Sequence, residues 1–367
     1  MTKNPQQRQE GQTLVQVAIL MVVLLAFAAL AIDFGRIYLE RRFLQNAADA
    51  GALAGARAMC FDGKTYAEAT APGGPAETFA KQNVPASNLA GTTVSFPPAG
   101  TGVVQVTAEE DALPTFMGAV IGILPGSGGV GMNTVKVGAT AAAACGPANT
   151  VCGLFPIAFD KSAFDQQLRN ICGKEFYVWT GDDDVDPCSQ CNCDTNGDGE
   201  KDIFTNLSRG WVDFTGSVAD PLYPTNCAKP GCGTSEIKCW ILADDPAPIT
   251  IPACIGGDRG IKAGAKTQID ARAGAIVRIP LFDSSCGSPN SCKEGFHVVD
   301  FGCVKVIGWE QNKQLYYPPP NSTTKCMKPK LVHVAVSCDK ACNTACGSTS
   351  GGGCPPGSSV CAVNLIE

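Results

Sequence analysis

The longest apolar run of the chain extends from Thr13 to Ile32 without a charged side chain, and Gln16 is its most polar interior position. At about 1.5 Å of rise per residue, a helix of this length spans the roughly 30 Å hydrocarbon core of a bilayer. A buried core helix rarely stays apolar on every face for so long. The pattern predicts one transmembrane helix, with the lipid bilayer as partner. A cleaved signal peptide is the alternative, because small-x-small sites occur at Ala26 and Ala29.

The helical pattern continues from Asp33 to Met59 without a proline. Within it, Ala47, Gly51 and Gly55 recur every four residues, so they lie on one helix face. A face of small residues lets another backbone approach closely. The first interpretation is that this face packs on the protein's own globular part. The second is that it packs between subunits, which would make the protein a homo-oligomer.

Between residues 60 and 144 the pattern alternates short helical and strand-like segments and contains no histidine. This order predicts a small α-β-β-α-β layer whose apolar sheet face needs a covering helix, and the small-residue stretch 47–56 is the natural candidate. The segments are a helix Pro75–Asn83, strands Thr92–Phe96 and Val103–Ala108, an apolar helix Leu113–Ile123 and a strand Asn133–Ala143.

From residue 145 onward, short apolar runs are separated by clusters of Gly, Pro and Asn. Short strands with many turns indicate a β-sandwich or a barrel-like domain. The predicted strands are Glu175–Thr180, Gly210–Phe214, Ala275–Phe282, Phe296–Glu310 and Lys330–Val336.

The cysteines are distributed unevenly: of the 20 in the chain, only Cys60 precedes residue 145. This step in composition predicts a domain boundary near residue 144. So many cysteines are typical of disulfide-stabilised proteins outside the cytosol. Because the number after residue 144 is odd, either Cys60 pairs with one of them or at least one thiol stays free.

Disulfides are the expected state of the clustered cysteines, and their pairing is left open by the sequence. A competing interpretation is metal ligation, since Cys188-x-x-Cys191 has the spacing of half a zinc site. A second such pair is missing, and both histidines lie far along the chain. The local clusters singled out are Cys188, Cys191 and Cys193; Cys227, Cys232 and Cys239; and Cys286 and Cys292.

Charge and chemistry exclude several functions. The formal net charge is −6, the pI is near 5.1, and no Lys/Arg-rich stretch appears, so nucleic acid is not an expected partner. The chain has two histidines and no G-x-S-x-G sequence. No catalytic residues are assigned, and the protein is predicted not to be an enzyme.

The strongest chemical motif is an acidic loop, which fits the pattern D-x-N-x-D-G-x-x-D. Such spacing brings six or more oxygen ligands around a tight turn for a hard cation, and predicts bound calcium. The loop is similar to those of EF-hands, dockerins and thrombospondin type 3 repeats, except that Thr205 replaces the bidentate acid at the twelfth position. A solvated acidic turn locked by nearby cysteines is the alternative. The candidate ligands are Asp194, Asn196, Asp198, Glu200 through its backbone carbonyl, and Asp202.

The N-terminal sequence resembles that of TadG-like proteins of the tight-adherence (Tad/Flp) pilus system. The resemblance rests on Gly11-Gln12-Thr13, the apolar span, Ala31-Ile32-Asp33, Gly35-Arg36 and the run Leu44–Ala50. It implies a pseudopilin-like body after the helix, and Tad/Flp pilus or assembly proteins as partners.

Related pilins are cut by a prepilin peptidase after a glycine and carry Glu at the fifth mature position. The corresponding residues here are Gly11, Gln12 and Gln16. The amide of Gln16 keeps the size of Glu but loses its charge. Processing after Gly11, signal peptidase cleavage and no processing all stay open.

These inferences combine into an α+β chain: a long N-terminal transmembrane helix, a small pseudopilin-like layer, and a disulfide-rich mainly-β domain. The predicted divisions are a cytoplasmic leader at 1–12, the helix at 13–59, the α+β domain at 60–144 and the cysteine-rich domain at 145–367. Counting Lys and Arg alone would place the C-terminal side in the cytosol. The cysteines indicate the opposite, a periplasmic or extracellular location.

The predicted function is that of a membrane-anchored, surface-exposed structural or adhesion protein associated with Tad/Flp pilus assembly. An envelope-anchored carbohydrate-binding module or hydrolase that shares this N-terminal segment is the alternative.

Overall fold

A computed structural model of the protein describes residues 7–86, 89–116, 134–180, 186–205, 209–214, 234–242, 248–258, 263–287, 294–319, 322–343, 348–349, 351–355, 357 and 359–366. The chain forms two compact units. Unit 1 consists of Met1–Ala58, Lys64–Ala143 and Leu365–Glu367, and unit 2 consists of Met59–Gly63 and Ala144–Asn364.

Unit 1 combines a very long helix with a sheet. The helix α1 extends over 55 residues, which agrees with the unbroken helical pattern of the sequence. A four-stranded sheet has the order β1-β2-β3-β16. The elements that belong wholly or partly to unit 1 are α1 (Gln7–Phe61), α2 (Tyr66–Ala69), α3 (Pro75–Gln82), β1 (Thr92–Ser95), β2 (Val103–Pro114), β3 (Thr134–Pro147) and β16 (Cys361–Ile366).

Local signals fix the short helices of unit 1. Thr65 caps α2 through a capping box, in which its side chain accepts from the backbone N–H of Glu68 while the Glu68 carboxylate accepts from the backbone of Thr65. Pro75 lies in the first turn of α3, where its missing N–H costs nothing.

The apolar helix expected over Leu113–Ile123 is wrong at its beginning. Leu113 and Pro114 are the last residues of β2, and Leu113 is buried. The strand β2 therefore extends beyond the predicted strand end at Ala108, whereas its alternating burial ends there. Residues 117–123 of the expected helix lie outside the described residues.

Unit 2 is mainly β. Its sheet has the strand order β10-β8-β5-β11-β12-β15-β6-β7, and β10 also pairs with β12. Strands β10, β8, β5, β11 and β12 thus close into a ring, which is the barrel-like one of the two predicted alternatives. The strands are β4 (Thr150–Val151), β5 (Ile157–Asp160), β6 (Glu175–Trp179), β7 (Ile203–Phe204), β8 (Arg209–Asp213), β9 (Ile249–Thr250), β10 (Ala253–Asp258), β11 (Ile276–Cys286), β12 (Glu294–Glu310), β13 (Leu315–Tyr316), β14 (Lys325–Met327) and β15 (Leu331–Val336).

Three short helices, which the sequence did not predict, accompany these strands: α4 (Lys161–Gln167), α5 (Thr234–Leu242) and α6 (Lys266–Ala271). The core contains edge-to-face aromatic contacts. Phe159 lies 5.7 Å from Phe176 and 5.9 Å from Phe204, measured between ring centroids. Such pairs stabilise a core by about 0.5–1.5 kcal/mol beyond the area that they bury.

Disulfide bonds connect distant parts of unit 2, as its cysteine content predicted. Each cysteine within the described residues is bonded. The resolved pairs are Cys60–Cys145, Cys172–Cys338, Cys188–Cys193, Cys191–Cys326, Cys254–Cys286, Cys303–Cys342 and Cys354–Cys361. The predicted α+β class, with a long apolar N-terminal helix and a disulfide-rich mainly-β region, is confirmed.

Candidate functional site

The N-terminal half of α1 presents its apolar side chains outward. Leu14, Met21 and Phe27 are among many that are more than half exposed. Thr13–Phe61 is long and apolar enough to cross a membrane, and none of the residues that the structure describes buries its most apolar window. Gln16 lies within this stretch and is exposed, and Gly11 and Gln12 belong to the same helix.

The small-residue face of α1 lies inside unit 1. Ala47 is fully buried, and an added Cβ at Gly51 would lie 2.9 Å from the backbone oxygen of Ala76. At Gly55, an added Cβ would lie 2.8 Å from Cγ1 of Val104. The missing Cβ atoms of Gly51 and Gly55 thus let α3 and β2 approach the helix.

A second contact fixes α1 to the end of β2. The buried carboxylate of Asp33 accepts a hydrogen bond from the backbone N–H of Phe116 at 2.8 Å. Arg36 donates to the carbonyl of Pro114 at 3.2 Å, and its guanidinium lies 5.6 Å from the Phe116 ring centroid. Asp33 and Arg36 belong to the motifs that carry the family resemblance, yet no local pattern indicates that they bind the end of β2.

The acidic loop lies between Cys193 and β7. Asp194 accepts hydrogen bonds from the backbone N–H groups of Gly197 at 2.6 Å and Gly199 at 2.9 Å. Both glycines have positive φ, 81° and 89°, which glycine adopts without the Cβ penalty of other residues. The carboxylate of Asp194 therefore lies inside a tight turn.

Other polar side chains of the loop also bind nearby donors. Asn196 Oδ1 accepts from the backbone of Asp198 at 2.9 Å, and Asp198 Oδ1 accepts from the backbone of Glu200 at 2.8 Å. The Glu200 N–H holds the pKa of Asp198 below its usual value. The side chain of Glu200 forms an ion pair with Lys174, away from the turn.

Asp202 closes the loop and is only 2% exposed. Its carboxylate accepts from the backbone N–H of Thr195 at 2.8 Å and from the side-chain amide of Asn196 at 3.1 Å. Its backbone N–H donates to the carbonyl of Cys193 at 3.0 Å, and its carbonyl accepts from Tyr177 of β6. The loop is thus tied at both ends to the body of unit 2.

The donor set of this loop suits a hard cation, because carboxylate and amide oxygens are the ligands that Ca²⁺ prefers. In the structure, the carboxylates of this loop do not converge on a single point where an ion would bind. Among the His, Cys, Asp and Glu side chains in the described part of the chain, only those of Cys60, Cys354 and Cys361 bring three ligand atoms within 4.8 Å of one another. Calcium binding would therefore draw the loop carboxylates closer together. Three more acidic residues precede the loop in the sequence, at 182–184, and lie outside the described residues.

The zinc interpretation of Cys188 and Cys191 is wrong. Cys188 is bonded to Cys193, and Cys191 is bonded to Cys326, so neither sulfur is a thiolate ligand. Among the other candidate cysteines, Cys286 is bonded to Cys254, and Cys239 is in a disulfide as well. Cys227, Cys232 and Cys292 lie outside the described residues.

Residues 11–58 match the family model described as putative Flp pilus-assembly TadE/G-like. The N-terminal segment is therefore TadE/G-like, and the resemblance read from the sequence is confirmed over these residues. No curated protein and no solved structure matches the chain. The TadE/G-like segment coincides with nearly all of α1, so the family match covers both the exposed apolar span and the anchoring residues.

The two histidines outside the TadE/G-like segment each contact a carboxylate. His297 Nδ1 lies 2.7 Å from Asp283 Oδ1, and that oxygen also accepts from Ser284 Oγ at 2.7 Å. In a nucleophilic triad the serine would donate to the histidine instead. His333 Nε2 lies 2.9 Å from a Glu175 oxygen. Each histidine thus lies within hydrogen-bond distance of a carboxylate oxygen.

Proposed function

We propose that this chain is a membrane-anchored structural protein of the Tad/Flp pilus system, with its cysteine-rich part outside the membrane. One observation carries the proposal: the TadE/G-like segment and the exposed apolar span are the same helix, α1. Its N-terminal half is free to lie in lipid, while its C-terminal half is part of the core of unit 1.

The protein acts as an anchored partner of pilus assembly rather than as a subunit packed along a filament. Two features support this role. The small-residue face at Gly51 and Gly55 is occupied by α3 and β2, so it does not offer a contact to a second copy. Gln16 also stands where related pilins carry a charged Glu.

The disulfides support an external location for unit 2. Disulfide bonds persist in oxidising compartments and are reduced in the cytosol. The bond Cys172–Cys338 spans 166 residues, and Cys191–Cys326 spans 135, so the fold of unit 2 depends on oxidation. Calcium, held by the acidic loop, further stabilises this unit, and exposure at the surface gives it an adhesive role.

The test is intact mass and N-terminal sequencing of the native protein, taken separately from membranes and from sheared surface filaments. We expect the chain in the membrane fraction, without a mature end at Gln12. A chain that begins at Gln12 and is enriched in filaments would contradict the anchored role and indicate a pilin-like subunit.

A second measurement addresses the side of the membrane. Protease added to intact cells or spheroplasts is expected to remove unit 2 and leave a fragment that contains α1. Protection of unit 2 in spheroplasts, with cleavage only after lysis, would place it in the cytosol and overturn this part of the proposal. The carbohydrate-binding alternative stays a prediction, for which a glycan array is the direct test.

A further inference from the structure

Two disulfide bonds of unit 2 lie side by side. The Sγ atoms of Cys60, Cys354 and Cys361 are all within 4.8 Å of one another. They belong to two different bonds, Cys60–Cys145 and Cys354–Cys361. Disulfides rearrange when a thiolate attacks a disulfide sulfur. Such an exchange needs a sulfur of one bond to lie next to the sulfurs of another, as the Cys60 sulfur does here.

The four sulfurs differ in access to solvent. Cys60, Cys145 and Cys361 are buried, with exposed fractions of 6%, 1% and 0%. Cys354 is half-buried. An external thiolate therefore reaches the pair through Cys354, because it is the most accessible of the four.

The backbone next to Cys354 contacts the backbone of Cys145. The N–H of Gly353 donates to the carbonyl of Cys145 at 2.9 Å. An added Cβ at Gly146 would lie 2.2 Å from the carbonyl oxygen of Gly351, so the segment before Cys354 crosses closely over Gly146. On the other side of the cluster, Cys60 Sγ lies 3.7 Å from the carbonyl of Ala362, next to Cys361.

We propose that these four cysteines form a thiol–disulfide exchange site that reacts with an external thiolate, either a small thiol or the reactive cysteine of an oxidoreductase. The incoming thiolate bonds to Cys354 and releases the thiolate of Cys361. Cys361 then attacks Cys60, which forms Cys60–Cys361 and releases the thiolate of Cys145. Cys145 attacks the mixed disulfide at Cys354, which forms Cys145–Cys354 and releases the original thiolate.

The sequence of steps breaks two disulfides and forms two, so no net oxidation or reduction takes place and the external thiolate is regenerated. Its result is a change in what the end of α1 is bonded to. In the structure, Cys60 is bonded to Cys145 in β3. After exchange, Cys60 is bonded to Cys361, the first residue of β16. The site thus selects which strand is covalently joined to the helix.

The decisive experiment uses Cys354→Ser in the full-length protein, purified in detergent without reductant. This variant leaves Cys361 without its partner and beside Cys60, so no external thiol is needed. We expect most molecules to contain Cys60–Cys361 and a free Cys145, as seen by alkylation and mass spectrometry of non-reduced peptides. Alkylation at Cys361, with Cys60–Cys145 intact, would overturn the proposal.

The matched control is Cys172→Ser, which frees Cys338 in the same unit. Cys338 is not in the cluster of close sulfurs, so we expect it to stay free and alkylated. New pairing of Cys338 to the same extent as Cys361 would mean that general scrambling, not a local site, explains the result, and would also overturn the proposal.

A second measurement covers the case in which Cys354→Ser does not fold. Wild-type protein is exposed to a limiting amount of reduced glutathione, then quenched with an alkylating agent. We expect Cys60–Cys361 and Cys145–Cys354 peptides to appear while the total number of free thiols stays constant. Alkylation confined to Cys354 and Cys361, without new pairs, would contradict the exchange.

Discussion

Gly51 lies where no larger residue fits. An added Cβ there would be 2.9 Å from the backbone oxygen of Ala76 and 2.9 Å from Cβ of Ala80, and neither is a flexible group that can give way. We expect Gly51→Leu to lower the free energy of unfolding of unit 1 by about 1–3 kcal/mol through overpacking. Urea unfolding of the detergent-solubilised protein, followed by circular dichroism, measures this change.

Gly35 provides the control for this substitution, because it lies on the same helix and nothing lies within 4 Å of an added Cβ. Gly35→Ala is expected to leave the stability unchanged or to raise it by about 0.5–1 kcal/mol, since alanine is the better helix former. A gain for Gly51→Leu as well, as helix propensity alone would give, would contradict close packing at Gly51.

Asp33 is a second residue whose role depends on a partner far along the chain, the backbone N–H of Phe116. Asp33→Ala would leave the N–H of Phe116 without its acceptor, at a cost of about 1–3 kcal/mol. Asp33→Asn retains an acceptor oxygen and should lose less. Hydrogen exchange at the end of β2 is the measurement, and equal protection in the wild type and Asp33→Ala would contradict this role.

At the scale of an element, the acidic loop gives the calcium prediction. Its carboxylates accept several backbone N–H bonds, but they carry like charges that a cation would offset. We expect calcium to raise the melting temperature of the wild type, and Asp194→Ala to remove most of that rise. Differential scanning fluorimetry in calcium and in EDTA measures this rise for the wild type and for Asp194→Ala.

Asp62→Ala is the matched control, because Asp62 is an exposed acid outside the loop. It should keep the full calcium response. If calcium leaves the wild-type melting curve unchanged, the loop is a solvated turn held by hydrogen bonds, as the alternative interpretation states.

At the scale of the whole molecule, the disulfides differ in how much chain they close. Cys172–Cys338 has a sequence separation of 166, and Cys354–Cys361 a separation of 7. Closing a longer loop removes more entropy from the unfolded chain, and a typical bond contributes about 2–4 kcal/mol. We expect the double variant Cys172→Ser/Cys338→Ser to lose more stability than Cys354→Ser/Cys361→Ser.

Thermal unfolding under non-reducing conditions compares these two double variants directly. Both remove one bond and leave no unpaired thiol behind, so exchange with other cysteines does not confuse the result. A larger loss for the short loop would show that its local packing, and not chain entropy, determines its contribution.

Features that depend on local pattern could be predicted from the sequence alone. The helix α1 follows from an unbroken run of helix-forming residues, and its exposed span follows from twenty positions without a charge. The five predicted strands of unit 2 each overlap a strand of the structure, because alternation and short apolar runs between turn residues are local signals. The TadE/G-like motifs are local as well.

Only the tertiary structure decided the features that join distant residues. Ala47, Gly51 and Gly55 fit two kinds of partner equally well until α3 and β2 are placed against them. Leu113 and Pro114 have the composition of the predicted helix but extend β2, since sheet pairing outweighs a weak local preference.

The same holds for the covalent and polar contacts. Spacing alone leaves disulfide pairing open, and only the fold brings Cys60 to Cys145 and places the Cys60 sulfur beside those of Cys354 and Cys361. Asp33 meets Phe116 across 83 residues of chain. A sequence pattern shows only how a residue interacts with its neighbours along the chain. These contacts join residues that are distant in sequence, so they form only when the whole chain has packed.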